Sequence, residues 1–205
     1  MHKEVLNKKT ERLLIKIKDI CKNFYLVGGT GLALQIGHRK SIDLDWFSKK
    51  SFSVRQLKIK LKKIGKLKII QEEEFTLNCV LDGVRLSFFR YPYKNISSLI
   101  KYENIKLASI KDIACMKIDS ISSRGSKKDF IDLYFILKKF SLEELLKMFD
   151  KKYKGIEYNR LHILKSLSYF EEAEKDPMPI MLKDIKWSDV KNKIKEEVIL
   201  SPSFS

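Results

Sequence analysis

Residues 4 to 22 place Leu6, Leu13, Leu14, Ile17 and Cys21 at helical spacing with lysines between them, which predicts an amphipathic helix. The apolar run Phe24-Tyr25-Leu26-Val27 stops at Gly28-Gly29 and reads as a short buried strand. Thr30 is placed to cap a helix running through Ile36, and Ile42 to Phe47 reads as a second strand. Ser53 opens a helix with Val54, Leu57, Leu61 and Ile64 on one face. From Lys66 to Arg90 the pattern turns to strands, with Asp82-Gly83 as the hairpin turn.

Further along, the apolar positions keep helical spacing. Ser109 to about Ser123 is one predicted helix and Lys128 to Phe140 another. Ser141, with Glu144 three residues on, is a capping box that starts a third. Tyr158 to Lys175 continues in helix, Asp176-Pro177-Met178-Pro179 interrupts it, and Ser188 is placed to cap the last helix. Strands thus concentrate before residue 110 and helices after it. That segregation predicts an α+β domain over residues 1–108 and a helical bundle over residues 109–205.

Composition narrows the class. A chain of 205 residues with 44% hydrophobic positions can bury a core, and four prolines and eight glycines leave little room for low-complexity stretches. No internal repeat at solenoid periods is present. Cys21, Cys79 and Cys115 are odd in number and far apart, which argues against a disulfide framework or a zinc site and for buried, reduced thiols. Met1 to Lys9 lacks the apolar core of a signal peptide, and no run approaches a membrane span. The expectation is a cytoplasmic monomer with no membrane partner.

Charge then adds a partner. Forty-two Lys and Arg against 26 Asp and Glu give +16, which favours polyanions; a general bias of the chain towards lysine gives the same excess. From Ser48 to Lys68 there are nine basic residues and no acidic one. Arg55, Lys58 and Lys62 form a stripe on the predicted helix, open to three readings: an RNA contact, a membrane-surface contact or a solvated face. Its position directly after the Asp43–Asp45 strand favours RNA.

The candidate chemistry lies between residues 28 and 45. Asp43 and Asp45 are two apart on a predicted strand, so both carboxylates share a face about 6.6 Å apart at the backbone, with Ile42, Leu44 and Trp46 opposite. Two carboxylates at that spacing reach one hard cation, or two sharing a substrate phosphate. A strand entering Gly28-Gly29-Thr30 and then a helix forms a phosphate cradle, because glycine allows close backbone approach and a helix N-terminus favours anions. His38, Arg39 and Ser41 lie between the two elements. Taken singly, Asp-x-Asp also fits a solvated strand face and Gly-Gly a plain turn.

Gly28-Gly29-Thr30-Gly31-Leu32-Ala33-Leu34, Gly37-His38-Arg39-Lys40-Ser41 and Asp43-Leu44-Asp45-Trp46-Phe47 together resemble motif I of the nucleotidyltransferase AbiEii/AbiGii toxin family. A second match runs from Met116-Lys117 through Ser123-Arg124-Gly125 to Lys128-Asp129-Phe130-Ile131-Asp132-Leu133-Tyr134. A third, Tyr169-Phe170-Glu171-Glu172-Ala173-Glu174 with Asp176-Pro177 and Trp187, is similar to that family's C-terminal segment. The resemblance implies the DNA polymerase β-like nucleotidyltransferase fold: a mixed sheet flanked by helices, followed by a helical domain that contributes Lys117, Arg124, Asp129 and Asp132 to the site. It implies Asp43 and Asp45 as metal ligands for Mg²⁺ or Mn²⁺, and Gly28, Gly29, Thr30, His38, Arg39, Ser41, Arg124 and Asp129 at the nucleotide. It also implies a toxin-like transfer from a nucleoside triphosphate to an acceptor hydroxyl, with RNA or a tRNA end as acceptor and a cognate antitoxin as possible partner. Two alternatives stay open: a non-catalytic RNA-binding module on the same fold, and transfer to a protein hydroxyl.

The second motif also has a reading from its residues alone. Ile110, Ala114, Lys117 and Ile121 share a helix stripe that Lys117 interrupts, and Asp132 stands alone among Phe130 to Leu137. Each charge costs several kcal/mol to bury unpaired. Lys117 and Asp132 therefore form an internal ion pair, or Lys117 snorkels, or Lys117 binds phosphate with Asp132 orienting it as a catalytic pair. One departure from polymerase β-like enzymes is visible. Where those often carry a third carboxylate, the strand Val84 to Phe89 offers Ser87; Asp82, Glu72, Glu73 or Glu74 substitutes, or the site runs with fewer ligands.

Overall fold

The computed structural model describes residues 1–201 and separates into two compact units, Met1–Ser109 and Ile110 onward. The protein is α+β, and its strands all lie in the first unit. Asn7 starts helix α1 (Lys8–Ile17), its side chain accepting from the Thr10 amide at 2.8 Å. This helix is shorter than the apolar pattern suggested, because Lys3–Val5 forms a separate 3-10 turn, yet Leu6, Leu13, Leu14, Ile17 and Cys21 are all buried as the spacing required.

Strand β1 (Tyr25–Leu26) leads into helix α2 (Gly28–Ile36), followed by β2 (Leu44–Ser48) and helix α3 (Val54–Lys62). Next come β3 (Leu67–Glu73), β4 (Thr76–Leu81), β5 (Val84–Arg90), β6 (Ile100–Tyr102) and β7 (Ile105–Leu107). They form one sheet in the order β3-β4-β5-β2-β1-β7-β6. It is mixed: β2 runs parallel to β5 and β1 parallel to β7, while the other neighbours are antiparallel. The β4–β5 turn is Asp82-Gly83 with φ of +48° and +75°, as a two-residue hairpin of this twist demands.

Period-two alternation decides the core. Leu44, Trp46, Leu77, Cys79, Leu81, Val84, Leu86 and Phe88 point to one sheet face and join α1, α2 and α3 in a single apolar cluster. Burying Phe88 or Leu44 contributes about 1.5–3 kcal/mol each. The same alternation turns Asp45, Ser87 and Asn78 to the opposite face, where none is fully buried.

The second unit is helical: α4 (Ile110–Ser123), α5 (Lys127–Leu137), α6 (Leu142–Lys152), α7 (Arg160–Leu167), α8 (Glu171–Glu174) and α9 (Trp187–Ile199). Helix α4 packs on α5, α6 and α7, and α5 on α8 and α9. The Ser141–Glu144 capping box at α6 is present in both directions. Three boundaries differ from the sequence reading, the first being that α5 ends at Leu137, short of Phe140. The stretch from Tyr158 breaks between α7 and α8, and α9 starts at Trp187, so Ser188 sits inside its first turn instead of capping it. Trp187 closes this end by packing on Phe130 and Phe170, at centroid distances of 6.1 and 5.8 Å. Among the described residues no helix is long and apolar enough to cross a membrane.

Candidate active site

The connection from β1 through α2 to β2 folds back tightly on itself. The Val27 amide donates to the Asp45 carbonyl at 2.9 Å, and α2 begins at once, at Gly28. Gly28 has φ +65°, a conformation that β-carbons disfavour. A β-carbon there would lie 2.4 Å from Asp45 Oδ2, and one at Gly29 would lie 2.3 Å from Arg39 Nη2 and 3.2 Å from the Ser41 hydroxyl. Glycine at both positions is therefore what lets the first turn of α2 approach the Asp45 carboxylate and the Arg39 guanidinium.

Thr30 does not cap α2, because the helix begins three residues earlier than a Thr30 cap requires, with Val27 at the N-cap. Its hydroxyl lies 2.8 Å from Ser41 Oγ and bonds to the Asp43 carbonyl. That contact fixes the segment leading into β2 against α2. Asp43 immediately precedes β2 and Asp45 is its second residue, so the strand expected to set both carboxylates on one face carries only Asp45; both residues are half-buried. Ile42, expected on the apolar face, precedes the strand and is exposed. Arg39 is buried, with Nη1 donating to the Lys40 carbonyl at 3.0 Å. Gly28, Gly29, Thr30, Arg39, Ser41 and Asp45 thus converge, with Asp43 joined through its backbone carbonyl, whereas His38 is completely enclosed.

Register places Ser87 of β5 beside Asp45, then Asn78 of β4 and Gln71 of β3, so one row across the sheet is polar but carries a single carboxylate. Asn78 donates to Gln71 at 2.8 Å. Of the four acidic residues offered for a third ligand, Glu74 is exposed in the β3–β4 turn and the other three hold partners elsewhere. Asp82 accepts from the Lys66 amide, Glu72 holds Lys58, and Glu73 accepts from Gln71. Among the described residues, no group of three His, Cys, Asp or Glu side chains gathers to hold a metal ion.

In the second unit, Lys117 of α4 and Asp132 of α5 form an ion pair of 2.6 Å, at 7% and 0% side-chain exposure. Asp129 joins them at 2.7 Å and also accepts from Arg124 Nε at 3.1 Å and from the Ser126 hydroxyl at 2.7 Å. Arg124, at 67% exposure, is the member turned to solvent. Burial alone would raise the Asp129 carboxyl, but the Lys117 and Arg124 charges, with hydrogen bonds from Lys117 and Ser126, outweigh it and hold the group below its ordinary value.

Two buried features went unmarked in the sequence. Lys152 and Asp112 pair at 2.8 Å with both side chains fully enclosed, and neither breaks an apolar run sharply enough to be noticed. Lys127 is held by the Glu174 and Asp176 carbonyls, while the Asp176 carboxylate accepts from its amide, which gives the Asp176-Pro177 interruption a structural task. On α3, Arg55 and Lys62 are exposed, while Lys58 is bound by both oxygens of Glu72 at 2.6 Å. The three cysteines are buried and unpaired, and burial pushes the Cys79 and Cys115 thiols up to about 12.

Residues 77–205, more than half of the chain, match the family model for the nucleotidyl transferase AbiEii toxin of type IV toxin–antitoxin systems, and the chain belongs to that family. The match begins beyond Gly28 and Asp45 and takes in the Lys117 cluster. It makes the protein a transferase of the nucleotidyl-transferring, toxin-like class. An uncharacterized protein of Aquifex aeolicus (strain VF5) is 38% identical over 203 residues, covering 94% of this chain and 96% of that one. Among solved structures, the nucleotidyltransferase toxin MenT4 (Rv2826c) of Mycobacterium tuberculosis H37Rv is similar with a TM-score of 0.58 at 13% identity, covering 96% of this chain and 83% of that one. JHP933 of Helicobacter pylori is similar with a TM-score of 0.55 at 16% identity, covering 95% and 92%. At such identities the likeness establishes the shared fold.

Proposed function

We propose that this protein moves a nucleotidyl group from a nucleoside triphosphate to a hydroxyl of RNA, a tRNA end foremost, using Mg²⁺ or Mn²⁺ held by Asp43 and Asp45. The observation that carries the reading is the approach of two glycines, Gly28 against Asp45 and Gly29 against Arg39 and Ser41. This sets the first turn of α2, read as the phosphate cradle, against the Asp45 carboxylate, two residues along the chain from Asp43. The two carboxylates are hard oxygen donors and fit a divalent cation that takes its other ligands from phosphate and water. When bound, such a cation neutralises phosphate charge and polarises the phosphoryl oxygens.

The chain's own residues do the positioning. The glycines open the first amides of α2 to the triphosphate, and Arg39 supplies a fixed positive charge beside them. Thr30 and Ser41 hold the lead-in to β2, so Asp43 and Asp45 are set before substrate arrives. An acceptor hydroxyl attacks the α-phosphorus, forming the new P–O bond, and pyrophosphate departs as the α–β bridge breaks. In the second unit the same reading gives Arg124 a phosphate contact, with Asp129 orienting it and Lys117 and Asp132 setting Asp129. The family's toxin–antitoxin context supports a cognate antitoxin as partner.

Incubation of the protein with each α-phosphate-labelled nucleoside triphosphate and total RNA, resolved on a gel, tests this. We expect label in RNA, and Asp43→Asn to cut transfer about a thousandfold, or about 4 kcal/mol, with stability unchanged within about 0.5 kcal/mol. Label entering protein instead would move the acceptor, and undiminished transfer by Asp43→Asn would remove the metal site.

A further inference from the structure

The far end of β2 opens into a cleft of about 920 Å³ formed wholly within the first unit. Lys49 and Lys50, which directly follow β2, line it together with Lys60 of α3 and Lys106 of β7, and no acidic residue contributes to its wall. Its neutral side chains include Asn95, whose Oδ1 is buried with no hydrogen-bond partner among the described residues. Phe24 and Phe52, edge to face at 5.0 Å, form an apolar part of the lining. Ser53, the N-cap of α3, also lines the cleft and brings the positive end of that helix to it.

We infer that this cleft binds the phosphodiester backbone of single-stranded RNA and so guides the acceptor strand; the inference rests on the RNA reading above. Four cations with no counter-charge in a concave wall call for a polyanion, and the concavity excludes a flat membrane surface. Side-chain amides and hydroxyls between the lysines suit ribose hydroxyls and base edges. Asp45 and Ser48 are three residues apart on β2, about 10 Å at 3.3 Å per residue, with their side chains on opposite faces of the sheet, so an RNA strand held in the cleft reaches the carboxylates by rounding the end of the sheet.

The cleft uses the opposite flank of α3 from Arg55, Lys58 and Lys62. Gln56 and Lys60 line it, whereas Lys58 on the other flank is already neutralised by Glu72. The two surfaces can therefore be tested against each other. Binding of a fluorescein-labelled oligouridylate is followed by anisotropy at several salt concentrations for the native chain, for K49Q/K50Q/K60Q and for R55Q/K62Q. We expect the first variant to flatten the log–log salt slope by about two units, from three contacts at about 0.7 each, and the second to keep the native slope. Mg²⁺-dependent triphosphate binding, measured by calorimetry, stays native in both.

An unchanged slope in K49Q/K50Q/K60Q overturns the cleft, as does flattening confined to R55Q/K62Q. So does a native protein whose oligouridylate affinity ignores salt. The labelling assay separates the two readings. Transfer to RNA with an unchanged slope defeats the cleft alone, while the expected slopes without transfer support the cleft and defeat the function.

Discussion

Asp43 and Asp45 in the first unit, and Asp129 and Asp132 in the second, are pairs of one side chain in closely similar sequence spacing, yet they end in opposite states. The first pair is half-buried at the start of β2, against a glycine turn that leaves no room for side chains. The second is sealed at 2% and 0% exposure and grips Lys117 from two sides. A half-buried carboxylate keeps some contact with solvent. One enclosed with a lysine has already spent its charge on holding two helices together, and removing its partner strands it in a low-dielectric interior. Residue type alone does not separate these roles; the element that carries the residue does.

Breaking the enclosed cluster has the largest expected consequence. Lys117→Met leaves Asp129 and Asp132 buried without their shared cation, and urea unfolding of the full chain should show a loss of about 3–5 kcal/mol. Asp43→Asn, by contrast, should leave the unfolding curve in place. If Lys117→Met proves neutral, the cluster is not the structural opposite of the Asp43–Asp45 pair.

Gly28→Ala probes the first unit with a smaller effect. The left-handed φ costs about 1–2 kcal/mol for a residue with a β-carbon, and the added methyl meets Asp45 Oδ2. Triphosphate affinity should fall along with stability. Calorimetry showing native affinity in this variant would detach the glycine turn from the nucleotide.

The smallest effect is in acid. Asp129 sits below its ordinary value, so its contribution to stability is complete above the unfolded carboxylate range, near pH 4 as an approximate figure, and fades as pH falls through the folded value. Urea midpoints measured down the acid limb should drop less steeply for Asp129→Asn than for the native chain. An identical limb would show that other carboxylates carry the acid sensitivity.

Much of this was readable from the chain. Period-two alternation in Leu44–Ser48 and Val84–Arg90 dictated which side chains face the core, Asp82-Gly83 dictated its hairpin, and Ser141 with Glu144 dictated a helix start, since each depends on neighbours within a few residues. The oddity of Lys117 and Asp132 in apolar runs likewise pointed to their pairing. Other outcomes depended on partners distant in sequence. That Ser87 and Asn78 stand beside Asp45 follows from strand order, with β5 parallel to β2, and strand order is set by how the whole sheet buries its apolar face. Lys58 looked like one member of a basic stripe until β3 brought Glu72 to it. Lys49, Lys50, Lys60 and Lys106 surround one cleft only because β2, α3 and β7 meet there. Local spacing determines which face a residue occupies. Which charges become neighbours across elements is decided when the core closes, because burial of apolar area fixes the packing and the polar groups take the partners that packing brings.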